Sequence, residues 1–219
     1  MYLENLVFDA VDPSRMGRFW EAMVGGERLT DEPDGFETRL TVVDGPVIDL
    51  CFQRVAAPPE DALRLHLDLA RRPHPAAEID QIVDPEGNPF HVLGDDAGDA
   101  DTGPLAAIRL DCTDPSASAE FWSWLTGWTD VTGGTFRTMR HPSRRGPRLE
   151  LRPEPVRKGD AKNRRHLDIR LEATDAPDAV AAGIVERGGR ELHPEWGDLP
   201  WRHYADPSGN EFCVLPARP

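Results

Sequence analysis

HLDLA at residues 66–70 returns as HLDIR at residues 166–170. Each is followed by a second echo, DPEGNPFHVL at 84–93 and DPSGNEFCVL at 206–215. A chain that repeats a strand-like motif and then a turn-like motif in the same order is built from two copies of one unit. Upstream, NLVFDAVDPSRMGRFWEAMVGG from Asn5 lies over AIRLDCTDPSASAEFWSWLTGW from Ala107 at an offset of 102. Asp-Pro-Ser meets Asp-Pro-Ser, and Phe19-Trp20 meets Phe121-Trp122. The histidines align at an offset of 100 and the D-P-x-G-N turns at 122, so the second copy carries 22 extra residues between them. That insert holds DAPDAVAAGIVERGG, residues 175–189, which reads as a helix.

The chain therefore divides into 1–94, a truncated copy lacking its second helix, and 105–219, a complete copy. Residues 95–104 between them are acidic, rich in Gly and Asp and without apolar periodicity, and read as a linker.

Local patterns supply the elements. Leu6, Phe8 and Ala10 alternate with Asn5, Val7 and Asp9; Ile108, Leu110 and Cys112 alternate with Arg109 and Asp111. That is the period of a strand with one buried face. Asp12 and Asp114 follow as helix N-caps, with Pro13 and Pro115 at the first helical position, where a missing N–H costs nothing. Phe19, Trp20, Met23 and Val24 form an apolar stripe, repeated by Phe121, Trp122 and Leu125. Leu65, Leu67 and Leu69 oppose His66 and Asp68, and Leu167, Ile169 and Leu171 oppose His166, Asp168 and Arg170. Each copy reads as β-α-β-β-β twice over, the first copy short of a helix and about one strand. The fold class is α+β, with helices on the apolar face of the sheets.

Net charge is −14 with a sequence pI of about 4.9, which argues against nucleic acid and anionic membranes as partners. Lys158 and Lys162 are the only lysines; with abundant Ala, Pro and Asp, this reads as the codon bias of a GC-rich bacterial genome. The three cysteines, Cys51, Cys112 and Cys213, form no C-x-x-C and read as reduced thiols. No apolar run reaches the ~18 residues of a spanning helix. A cytoplasmic protein is expected.

The order of strand, Asp-Pro, helix with Phe-Trp, strand, KNRRHLDI, helix ending in Gly-Gly, and DPSGNEFCVL resembles the glyoxalase-like members of the vicinal oxygen chelate superfamily, which includes the glyoxalase/bleomycin-resistance proteins. The resemblance runs from Leu105 to Pro216 in the second copy and from Leu3 to Leu93 in the first. It implies curled sheets of paired βαβββ modules around a ligand cup. It also implies metal-ligand positions: Ala107, Glu150, His166 and Cys213 in the second copy, and Asn5, Gln53, His66 and His91 in the first. Ala107 has no donor, and Asn5 and Gln53 are weak neutral ligands. The resemblance thus implies a small-molecule-binding protein of the bleomycin-resistance type, without a required metal and with its cup in the second copy. The alternative is a lyase, isomerase or dioxygenase using zinc, iron, nickel or manganese, with His66, His91 and Gln53 as weak candidate ligands.

Within that cup the candidate ligand-binding residues are Arg109, Asp111, Glu150, His166, Asp168, Trp201 and Cys213. Glu150 is a candidate general base and His166 a second catalytic candidate. Cys213 as a nucleophile would need a depressed pKa and a base such as His166. The repeated His-Leu-Asp also has a structural reading, an Asp orienting a strand histidine two residues away on one face. Trp196 and Trp201 either stack on a flat ligand or plug the core beneath their loop. Without its helix the first copy leaves Leu65, Leu67 and Leu69 exposed, at about 1.5–3 kcal/mol each. They are expected to lie under the second copy or a second subunit, as in a homodimer.

Overall fold

A computed structural model describes residues 1–57, 62–70, 82–93, 101–131, 136–194 and 199–218. Strand β1 (Tyr2–Ala10) leads into helix α1 (Pro13–Val24), then β2 (Glu27–Glu32), β3 (Gly35–Thr41) and β4 (Val47–Arg54). A shorter module follows: β5 (Leu65–Leu69), β6 (Ile82–Val83) and β7 (Pro89–Val92). The third module is β8 (Leu105–Cys112), α2 (Pro115–Thr126), β9 (Thr129–Asp130), β10 (Arg137–Arg140) and β11 (Arg148–Pro153). The fourth is β12 (Arg165–Arg170), α3 (Pro177–Glu186), β13 (Arg190–Leu192), β14 (Arg202–Ala205) and β15 (Glu211–Leu215). The helix expected to be missing from the first copy falls on residues 71–81, and most of the linker on 95–100; both lie outside the described residues.

The capping expectations hold. Asp12 accepts from the Arg15 N–H, and Asp114 from the N–H groups of Ser116 and Ala117. Gly25 and Gly127 close α1 and α2 with φ of 68° and 71°, where a Cβ would be strained.

The strands form two mixed sheets. The first, of eight strands, runs β13-β14-β15-β12-β1-β4-β3-β2; the second, of seven, runs β6-β7-β5-β8-β11-β10-β9. Each sheet therefore takes one module from each half of the chain. The expectation of one cup closed by each half is corrected here. The first module pairs with the fourth through β1 and β12, antiparallel, and the second with the third through β5 and β8. The alternation in sequence names which face of a strand is apolar, and both pairings satisfy it equally well.

The apolar faces meet in one core that contains α1 and α2. Trp20 of α1 lies 5.0 Å, centroid to centroid, from Phe90 of β7, and Trp122 of α2 lies 5.4 Å from Phe212 of β15. Each helix thus packs onto the last strand of its own half, which lies in the other sheet. Leu65, Leu67 and Leu69 are at most 1% exposed within the single chain, so no second subunit is needed to cover them. Among the described residues no helix is long and apolar enough to cross a membrane.

The turn motif explains why the echoes come in pairs. Asp84 accepts from the N–H groups of Glu86 and Asn88, and Asp206 from those of Ser208 and Asn210. Arg64, two residues before His66, donates to Asn210 at 2.7 Å; Arg164, two residues before His166, donates to Asn88 at 2.9 Å. Each Asp-Pro-x-Gly-Asn turn is thus fastened to the other copy's His-Leu-Asp strand.

Gly17 marks a close approach of α1 to β3. A Cβ there would stand 2.1 Å from Cδ1 of the fully buried Phe36 ring. Gly17→Ala is expected to destabilise by about 1–3 kcal/mol despite alanine's better helix propensity. An unchanged urea midpoint would contradict this close packing.

Candidate functional site

The polar face of the eight-stranded sheet borders a cavity of about 1170 Å³. Strand register builds it. On neighbouring strands His203 faces Cys213, Cys213 faces Asp168, Asp168 faces Asn5, Asn5 faces Asp49, and Asp49 faces Arg39. One polar row thus crosses six strands on a single face. His166, Cys213, His203, Gln53, Asp9 and Trp201 line the cavity.

Two groups of polar side chains stand there, each around a buried carboxylate. In the first, Lys162 Nζ donates to both oxygens of Asp9 at 2.7 Å, and Gln53 Nε2 donates to Asp9 Oδ1 at 2.7 Å. This satisfies a carboxylate whose side chain is only 2% exposed. In the second, His166 Nε2 lies 3.6 Å from Cys213 Sγ and 3.4 Å from Asp168 Oδ1. Asn5 Nδ2 donates to Asp168 Oδ2 at 3.1 Å. Asp168 Oδ1 and His166 Nδ1 are buried without a hydrogen-bond partner. Burial, reinforced by the Asp168 carboxylate, pushes the Cys213 thiol well above its ordinary range, so by itself it is no nucleophile.

Above them Trp201 Nε1 donates to His203 Nε2 at 3.1 Å. Burial and the neighbouring His166 lower the His203 pKa, which keeps its imidazole neutral and able to accept that bond. Trp196 lies outside the described residues.

Three residues expected in the same cup as His166, namely Arg109, Asp111 and Glu150, lie on the other sheet instead, with Arg148 and Arg152 beside them. Arg109, Asp111, Arg148, Glu150 and Arg152 belong to β8 and β11 of the seven-stranded sheet, while His166, Asp168, Arg170 and Glu211 belong to β12 and β15. Glu150 and His166 therefore do not share a cup. Glu150 accepts from Arg148 Nε at 3.2 Å and from Arg152 Nη2 at 2.5 Å, a doubly paired carboxylate rather than a free base. Arg109 pairs with Asp68 at 3.0 Å and also contacts His91 Nδ1, while His66 Nε2 stands 3.5 Å from Asp111. The metal-ligand positions regroup likewise, with Asn5 and Gln53 joining His166 and Cys213, and Ala107 and Glu150 joining His66 and His91.

Among the described residues, the His, Cys, Asp and Glu side chains whose ligand atoms converge are His166, Asp168 and Cys213, all buried and within 4.8 Å of one another. An imidazole, a carboxylate and a thiol suit a borderline cation such as zinc. The set at His66, His91 and Glu150 does not fit a cation, because arginines already occupy Glu150 and crowd His91.

Sequence reasoning missed Asp9, Lys162 and His203. One signal was present: the chain's only two lysines, Lys158 and Lys162, lie four positions apart just before His-Leu-Asp, and both line this cavity.

The model of the glyoxalase-like domain family matches residues 5–84 and 107–215. The chain belongs to the glyoxalase-like domain family. Among solved structures, glyoxalase I from Zea mays is similar over 98% of this chain and 92% of its own, at 17% identity and a TM-score of 0.65. A proposed dioxygenase from Bacillus subtilis is similar over 100% of this chain and 86% of its own, at 13% identity and a TM-score of 0.59. At these identities the likeness concerns the fold. A search of the curated proteins gave no match. As a glyoxalase-like protein, the chain joins two mixed sheets in one polypeptide, and the eight-stranded sheet carries the cavity described above.

Proposed function

We propose that this glyoxalase-like protein binds a polar organic small molecule in the cavity of its eight-stranded sheet. The observation that supports this reading most is the cavity of about 1170 Å³, whose floor is polar and whose wall carries Trp201. Such a volume takes a medium-sized organic molecule. Buried charges are expensive unless they pair or meet a ligand. At this cavity Asp168 Oδ1 and His166 Nδ1 are buried without a hydrogen-bond partner.

The test is a thermal-shift screen of small polar metabolites against the whole chain. A compound that binds the folded state raises apparent stability by mass action, by about 2.7 kcal/mol at 100 times its Kd. Hits should weaken at least about tenfold in Trp201→Ala and in Lys162→Ala. Hits indifferent to both substitutions, or the absence of any hit, would count against this cavity as the site.

The metal-dependent reading, a lyase, isomerase or dioxygenase, is favoured by one observation, the convergence of His166, Asp168 and Cys213. Running the screen with and without chelator separates it from metal-independent binding.

A further inference from the structure

We propose that the molecule bound in the cavity of the eight-stranded sheet is an elongated anion, with a carboxylate or phosphate head met by Arg157 and Arg190 and a flat apolar body against Trp201. This deepens the proposed function and rests on its reading of that cavity as the binding site.

Strand register sets the two ends apart. Arg190 faces Ala205, which faces Glu211; two residues along, Leu192 faces His203, which faces Cys213. Arg190, Leu192, His203, Glu211 and Cys213 all line the cavity and form one wall of it. Trp201, two residues before His203, lines it as well. The tryptophan and the row of Arg190 are thus four residues apart along the chain of β14, about 13 Å. The bond from Trp201 Nε1 to His203 Nε2 holds the indole at its end. An aromatic end and a guanidinium end on one wall suit a ligand divided in the same way.

The charges at the cavity do not balance once the pairs made within the protein are set aside. Asp9 is satisfied by Lys162 at 2.7 Å, Glu211 by Lys158 at 3.0 Å and Glu154 by Arg64 at 2.8 Å. Asp206 accepts from Trp122, Asn210 and backbone N–H groups. Arg54 is held by the carbonyls of Val11 and Pro33 and by Asp34. Among the described residues Arg157 and Arg190 have no hydrogen bond or ion pair, and both stand exposed at the cavity. Asp160 is the one lining acid in the same state. Two uncommitted guanidinium groups against one carboxylate make a positive mouth on a chain of net charge −14, and such a mouth favours anions over cations. The guanidinium fork matches the paired oxygens of a carboxylate or a phosphate.

The internal repeat supplies the second argument. Counted back from His-Leu-Asp, PVRKGDAKNR at 155–164 corresponds to VAAPPEDALR at 55–64. Both segments carry the chain from one sheet to the other, from β11 to β12 and from β4 to β5. Both end on the arginine that fastens a turn, Arg164 or Arg64. Before that arginine the first copy has no cation: Ala57, Pro58 and Ala62 hold the places of Arg157, Lys158 and Lys162. The connection itself therefore does not need these three cations, and all three line the cavity. Two of them neutralise its acids; Arg157 is left over.

The experiment titrates the full chain by calorimetry with four probes that share a naphthyl ring on a short chain and differ at the far end: carboxylate, phosphate monoester, neutral amide and ammonium. The two anions are expected to bind at least about tenfold tighter than the amide, and the ammonium weakest of all. The tighter of carboxylate and phosphate names the head group. In Arg157→Gln combined with Arg190→Gln, the anions should fall to within about threefold of the amide, whose own affinity stays unchanged. Both side chains are exposed, so the fold is retained, and circular dichroism checks it. Arg15→Gln, which removes an exposed arginine away from the cavity, should leave the preference as it was. Trp201→Ala should weaken all probes alike. An anion preference that survives the double variant, or one that Arg15→Gln abolishes equally, would overturn the assignment. Amide and anions bound equally, with Trp201→Ala weakening both, would sink this inference and leave the proposed function standing. Binding of none of the four would overturn it too, and the thermal-shift screen then decides the proposed function by itself.

Discussion

Asp84→Ala is expected to cost about 3–5 kcal/mol, a large part of the roughly 5–15 kcal/mol by which a protein of this size is folded. Asp84 and Arg165 form an ion pair at 3.0 Å with side chains 0% and 1% exposed, and burial pulls the guanidinium pKa down to about 10. Removing the carboxylate leaves a cation surrounded by the Phe8 and Trp20 rings, at 5.0 and 5.6 Å from their centroids, and takes away the turn's anchor. The repeat supplies a control. Leu65 holds the place corresponding to Arg165, and Asp206 is buried without an arginine, accepting instead from backbone N–H groups, Asn210 and Trp122. Arg165→Leu is therefore expected to cost less, about 1–3 kcal/mol. Urea midpoints decide: equal losses, or a loss under about 1 kcal/mol for Asp84→Ala, would show that the pair is not a buried charge couple.

Trp20→Ala should cost about 3–5 kcal/mol, because a fully buried indole at the junction of the two sheets would leave a cavity that its neighbours cannot fill. Its ring touches Phe8, Phe19 and Phe90, so α1 loses its grip on β7 as well as on β1. The conservative substitutions separate packing from hydrogen bonding. Trp20 Nε1 is buried without a partner, whereas Trp122 Nε1 donates to the buried Asp206 at 3.1 Å. Trp20→Phe removes an unsatisfied donor along with volume, and the first change offsets part of the second. Trp122→Phe removes volume and strips a hydrogen bond from a carboxylate that burial already pushes above its ordinary pKa. Trp122→Phe should therefore be the more damaging of the two, in denaturant and in heat. The reverse order would mean that the two helices do not play corresponding roles.

The parts legible in the sequence are those governed by neighbours in the chain. Asp12 and Asp114 cap helices because a carboxylate just before a proline-led helix finds free N–H groups whatever lies beyond. Leu65, Leu67 and Leu69 face the core because side chains on a strand alternate. The Asp-Pro-x-Gly-Asn turns fold on their own backbone. Family membership rested on these features, and the matched residues, 5–84 and 107–215, span both copies.

What local pattern does not contain is which strand lies beside which. A strand of given alternation pairs as well with a partner from its own copy as with one from the other, since both present the same faces. Packing decided between them: β1 took β12 and β5 took β8, while Arg64 and Arg164 each fastened the opposite copy's turn. That choice sent Glu150 to one sheet and His166 to the other, and set Asn5 beside Asp168. The sequence by itself determined the modules, their faces and their kinship. Only the tertiary structure decided which side chains share a sheet face, because that depends on contacts between residues far apart in the chain, from His66 with Arg109 to Asn5 with Asp168, where no periodicity reaches.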